Sequence, residues 1–290
     1  MNPLQTVGDT LTGIGSMFGS FHSGMINAGK TQDGALAGLM GVTREKRLIA
    51  HRLGVDPYTD FEPLNVKLTQ LSEAAAMGGL SVTGALLVIP GAAGIVVSNL
   101  STANRLGDIK IDELARDYSA AQIMDLNRQR LIAMGVERNL VEVALANRNF
   151  TPIDMAAMVA ALDIMTAVQD RSIFFARAAA VDNRPIAYFM RRQAEMLADH
   201  YRRTGAFTRF VSLGGYPFNL ARDGRIIGIM PIDALSWMPS TAKAFGDSTA
   251  DMRRAVPGIR AELRIAGRAT GIARQQLKAL GWSVVENVKF

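Results

Sequence analysis

The sequence predicts a mainly α-helical protein: a multi-helix bundle around a Gly/Ala-rich apolar helical hairpin, with a small antiparallel β-hairpin or meander near the C-terminus. Three observations carry that prediction. Residues 74–104 form a run of 31 residues without Asp, Glu, Lys or Arg, in a chain that is 20% charged. Apolar residues make up 49% of the chain but aromatics only 7%, the balance of an Ala-, Leu-, Ile- and Met-rich helical core. Between residues 110 and 205 apolar positions recur at helical spacing. Beyond Phe207 they fall into short runs split by Gly214-Gly215-Tyr216-Pro217 and Arg222-Asp223-Gly224.

Three units follow. Residues 1–42 are a Gly-rich N-terminal arm. Residues 43–205 are a helical domain that includes the apolar hairpin 74–104, and residues 206–290 hold a small β-meander and a C-terminal basic amphipathic helix. In the arm, Val7, Leu11, Ile14, Phe18, Phe21 and Met25 keep helical spacing, while the other face is Gly, Ser, Thr and Asn. That pattern fits a surface or docking helix, and equally a terminus that orders only in context.

The uncharged stretch has two readings. Gly79–Ser98 has the length a helix needs to cross a hydrocarbon core of about 30 Å. Pro90 in its middle removes a backbone donor, and Gly84, Gly91 and Gly94 lower helix propensity by up to about 1 kcal/mol each. A buried hairpin of two helices, over residues 71–89 and 91–104, and an element inserted in or lying at the edge of a membrane both satisfy the pattern.

The remaining elements have explicit start and stop signals. Thr43 caps a helix that runs to Leu53 and closes at Gly54. A helix over Tyr118–Met134 closes at Gly135, and Asn139–Ala146 is a short one. Thr151, Pro152 and Asp154 supply a cap, a first-turn proline and a capping-box acid for the next. Helices over Asp170–Ala180 and Ile186–Arg203 complete the bundle. Strand-like runs cover Phe207–Leu213, Phe218–Ala221 and Arg225–Met230, with Asp223-Gly224 as a hairpin signal. Pro231 ends the last run, and a short helix is expected over Ile232–Phe245.

Pro257–Leu280 is expected to be one helix. At about 100° per residue, Arg260, Arg264, Arg268, Arg274 and Lys278 share a sector of about 120°. Ile259, Leu263, Ile265, Ile272, Leu277 and Leu280 take the other side. Gly281 stops this helix, and residues 282–290 can add an edge strand.

Charge points to the same segment. Of the net +6, residues 251–290 carry eight Lys/Arg against three Asp/Glu. A cationic face of this kind suits anionic lipid headgroups or an acidic protein partner. Nucleic acid is disfavoured, because Trp282 is the single aromatic between Phe245 and Phe290 and supplies no stacking platform.

Reaction chemistry is sparse. The absence of Cys excludes disulfides, zinc–thiolate sites and thiol nucleophiles. The three histidines, His22, His51 and His200, lack zinc-binding spacing, so no metal is expected. No P-loop, G-x-S-x-G or dinucleotide-type glycine turn is present, and no cofactor is expected. His200, between Asp199 and Tyr201, stands as the single catalytic candidate. The segments LIAHRLGVDPY, IMDLNRQRLIAMGV, FTPIDMAAMVAAL and RDGRIIGIMPIDALSW, with the apolar stretch, resemble a class of uncharacterised exported bacterial proteins. That resemblance implies a cell-envelope location, periplasmic or membrane-associated, and no chemistry. No secretory signal is visible: the first basic residue is Lys30, and residues 4–28 are broken by Gly and Ser.

The expected function is therefore that of a non-enzymatic envelope protein, a structural module that binds a partner or membrane through the apolar stretch and the basic helix. Two alternatives stand beside it. One is a hydrolase with a site between bundle and meander near His200, Tyr216 and Asp223. The other is a nucleic-acid binder that uses the C-terminal basic helix.

Overall fold

A computed structural model describes residues 42–76, 105–106 and 109–289. The Gly-rich arm and the expected apolar hairpin beyond Ala76 lie outside the described residues. Helices α1 (Arg44–Leu53), α2 (Glu62–Ala76), α3 (Ile111–Asp117), α4 (Ala120–Ala133), α5 (Arg138–Leu145), α6 (Pro152–Asp163), α7 (Ser172–Ala179) and α8 (Arg184–Thr204) form the helical unit. A two-residue ladder, β1 (Arg105–Leu106) with β2 (Ile109–Lys110), precedes α3. The starts are side-chain caps: Thr43 accepts from Lys46 N, and Asn183 accepts from Ile186 N. Thr151–Asp154 is a reciprocal capping box, as the Thr151-Pro152-Asp154 pattern predicts, and Ser119–Gln122 is a second one. Among the described residues the centre is α6. Every residue from Pro152 to Leu162 is buried, so it is a helix apolar on all sides, enclosed by α3, α4 and α8.

The predicted fold class needs correction. In place of a bundle with a small antiparallel meander, residues 207–285 build a five-stranded mixed sheet in the order β3-β4-β5-β7-β9. The strands β3 (Phe207–Leu213), β4 (Tyr216–Ala221) and β5 (Ile226–Met230) pair antiparallel in sequence. Strand β5 then pairs parallel with β7 (Ala261–Ile265), and β7 parallel with β9 (Trp282–Val285). Each parallel step needs a crossover. Helix α9 (Pro239–Ala255) makes the first and α10 (Gly271–Leu280) the second. A short parallel ladder, β6 (Ala234–Leu235) with β8 (Arg268–Ala269), joins the two crossovers.

Both faces of the sheet are covered. Phe207, Phe210, Ile227 and Ile229 face the helical unit. Val211, Phe218, Leu220, Leu263 and Ile265 face α9, α10 and Trp282. Strand β5 thus lies between two cores, which explains its unbroken apolar run in place of an alternating one. Trp282 closes the second core, packing on Phe218 and Phe245 at centroid distances of 5.3 and 5.4 Å. Its Nε1 donates to Thr249 Oγ1 at 2.9 Å.

The expected helix over Pro257–Leu280 is divided. Ala261, Leu263 and Ile265 alternate with Glu262 and Arg264, and over five residues that period of two prevails as strand β7. Gly267 follows at a contact that excludes a side chain: a Cβ there would meet Asp233 O at 1.8 Å. Thr270 then caps a new helix by accepting from Ala273 N. The helix expected over Ile232–Phe245 is likewise displaced. Ala234–Leu235 is a strand, and the helix starts at Pro239 and runs to Ala255. Among the described residues no helix is long and apolar enough to cross a membrane.

Candidate functional site

The sequence-predicted cationic residues do not share one face. Arg260 is exposed ahead of β7, Arg264 lies within it, and Arg268 is on β8. Only Arg274 and Lys278 remain on a helix, α10. Two of the five are engaged by carboxylates, Arg264 with Glu262 at 2.6 Å and Arg274 with Glu286 at 2.9 Å. Ile272, expected on the buried side, is 64% exposed.

His200, Tyr216 and Asp223 are not brought together either. His200 is buried near the end of α8 with its ring 5.3 Å from that of Phe207, at the start of β3. Burial, then the nearby Arg264 and Arg203, lower its pKa to about 4, so the imidazole is neutral at pH 7. Asp223 occupies the β4–β5 turn and pairs with Arg225 at 2.8 Å. Tyr216 begins β4, at the opposite end of that strand and roughly 17 Å along it at about 3.4 Å per residue.

Tyr216 instead borders a cleft of about 260 Å³. The cleft is lined by helices α8 and α9, which pack on opposite faces of the sheet, with the start of β4 and the end of β5. On α8, Ile186, Phe189, Met190 and Gln193 form one stripe at i, i+3, i+4 and i+7. Phe218, Met230 and Ile232 come from β4 and the exit of β5, and Ala244 and Phe245 from α9. Tyr216 reaches the rim because Gly214 and Gly215, at φ 57° and 79°, make the two-residue turn that pairs Leu213 with Tyr216.

The polar groups of the cleft fall into two kinds. Gln193 and Ser248 serve the fold. Gln193 Nε2 donates to Ile229 O at 3.0 Å, and Ser248 Oγ lies 3.0 Å from Leu213 O and 2.8 Å from Ala244 O. Arg177 is different. It projects from the last turn of α7 to the mouth, where its guanidinium carbon stands 5.0 Å from the Tyr216 ring centre. Its guanidinium makes no hydrogen bond or ion pair with any described residue. Ser240 and Thr241, in the first turn of α9, complete the rim.

A second cluster is ionic. Asp154, 5% exposed at its side chain, pairs with Arg184 at 2.8 Å and Arg191 at 3.1 Å. Arg191 also meets Glu195 at 3.2 Å, and Glu195 meets Arg192. Asp56 joins through Thr151, whose Oγ1 donates at 2.6 Å. Burial of its carboxyl and the nearby Asp154 raise the Asp56 pKa to about 6, against the hydrogen bonds from Thr151 and Tyr58 N and the attraction of Arg191. These groups tie the loop after α1 to α6 and α8, a structural role in which Asp154 and Glu195 each meet two arginines. Among the described residues no three His, Asp or Glu converge as a metal-binding group.

The sequence reading placed Arg177 and Gln193 on helices without assigning either a role. The Ile186–Gln193 stripe was a readable sign of an inward face, but nothing local shows that the stripe borders a cleft. No protein-family model, curated protein or solved structure matches the chain.

Proposed function

We propose that the protein is a non-enzymatic binding module that holds a small, predominantly apolar molecule in the cleft between α8, α9 and the sheet. The observation that carries this reading is the lining itself. Apolar side chains from α8, β4, β5, β6 and α9 converge on about 260 Å³, near the lower edge of the ~300–1,000 Å³ common for small-molecule sites. None of the described lining residues is His, Asp, Glu or Lys, and Tyr216 at the rim is the one side chain among them of a type that general acid–base chemistry draws on. Its hydroxyl at Ser248 is committed to backbone carbonyls. The sheet and the helices that flank the cleft are packed, which makes it a pre-formed site.

Calorimetric titration of the full-length chain with 1-octanol tests the proposal. Saturable one-site binding is expected, and Ala244→Trp, which fills the cleft from α9, should abolish it while the thermal unfolding midpoint stays within a few degrees. Absence of saturable binding, or equal binding by Ala244→Trp, refutes it.

A further inference from the structure

Resting on that reading, we infer that the ligand is an apolar monoanion, a medium-chain carboxylate in chemical class, with its head anchored by Arg177. Among the described lining residues the cleft combines an apolar interior with one formal charge, that of Arg177. At about 260 Å³ it is the size for a small ligand, for which an eight-carbon chain with a small head serves as the probe.

The state of Arg177 differs from that of several other arginines of the fold. Arg209 pairs with Asp170, Arg225 with Asp223 and Glu262, and Arg184 with Asp60 and Asp154. Arg177 meets only the ring of Tyr216, a contact that uses none of its five N–H donors. It is half-buried beside apolar walls, where water screens a charge less than in the open. A planar guanidinium in that setting matches a carboxylate by two parallel hydrogen bonds. None of the described lining residues is acidic, so none of them competes for it or repels the incoming head. The single cation also sets the ligand charge, since a second anionic group would enter apolar surroundings without a partner.

The test is a calorimetric comparison of n-octanoate, 1-octanol and n-octylammonium at pH 7 and low salt. The full-length native chain, Arg177→Met and Arg177→Lys are each titrated. Native protein should bind octanoate at least about tenfold more tightly than octanol, the scale of one charge-assisted hydrogen-bonded pair. Octylammonium should bind more weakly than either. Arg177→Met should lose the preference for octanoate and keep its octanol affinity, which shows that the cleft is intact, and Arg177→Lys should retain part of the preference. Equal binding of octanoate and octanol by native protein, or an undiminished octanoate preference in Arg177→Met, overturns the anchor while the apolar cleft stands. Failure of all three probes to bind overturns the cleft as a ligand site, and the anchor with it.

Discussion

The Arg177 guanidinium lies 5.0 Å from the centre of the Tyr216 ring, and this contact links the helical unit to the tip of the β3–β4 hairpin. A partly exposed cation–π pair contributes about 0.5–1 kcal/mol. Tyr216→Leu should therefore lower unfolding free energy by no more than about 1 kcal/mol in urea titrations. A loss above about 2 kcal/mol would mean that the ring supports the core as well as the rim.

Gly267 is fixed by its neighbour and Gly271 is not. A Cβ at Gly267 would sit 1.8 Å from Asp233 O, whereas at Gly271 it would meet nothing within 4 Å. Gly267→Ala should separate β6 from β8 and cost more than about 2 kcal/mol, a strain of the kind overpacking produces. Gly271→Ala, in the first turn of α10, should be neutral or stabilise by up to about 1 kcal/mol. Denaturation midpoints of the two variants distinguish them, and equal effects would contradict the close approach.

Arg191 serves two buried carboxylates, Asp154 at 3.1 Å and Glu195 at 3.2 Å. Its removal leaves both largely buried carboxylates with a smaller share of positive charge. Arg191→Met should cost about 3 kcal/mol, the lower end for a broken buried pair, because Arg184 and Arg192 remain. Urea titration at pH 7 measures this, and a loss below about 1 kcal/mol would place the pair among surface bridges.

Two buried titratable groups oppose each other in the acid range. His200 has a folded pKa of about 4 against 6.5 in the unfolded chain, so the unfolded state binds more protons between those values. Its contribution makes stability rise with pH across that window. Asp56 has a folded pKa of about 6 against 3.8, so the folded state binds more protons and stability falls as pH rises from about 4 to 6. His200→Gln should make the change in unfolding free energy from pH 4.5 to 6.5 more negative than in native protein. Asp56→Asn should make it more positive. Shifts of the same sign in both variants would contradict the assignment.

The sequence displays its local decisions and hides its long-range ones. Thr43, Thr151 and Pro152, with the helices they start, were legible because each cap is completed within one turn. Ile226–Met230 was legible as a strand but not as a central one, since its parallel partner Ala261–Ile265 lies across a crossover. That partner carries apolar residues at a spacing of two, within a segment whose arginines also fit a helical sector. Five residues do not separate the two periods. The cleft was less legible still. Arg177 gains its surroundings from Tyr216 on the β3–β4 hairpin, a juxtaposition set by the sheet and not by any neighbour in sequence.

The most direct measurement of the central claim is a methyl-resolved NMR titration of the full-length chain, labelled at Met and Ile, with n-octanoate. The account predicts saturable shifts at Met190, Met230, Ile186 and Ile232, which line the cleft, and none at Met155, Met158 or Ile153 in the α6 core. Shifts confined to residues outside the cleft, or no saturable shift at its four methyl groups, would contradict it.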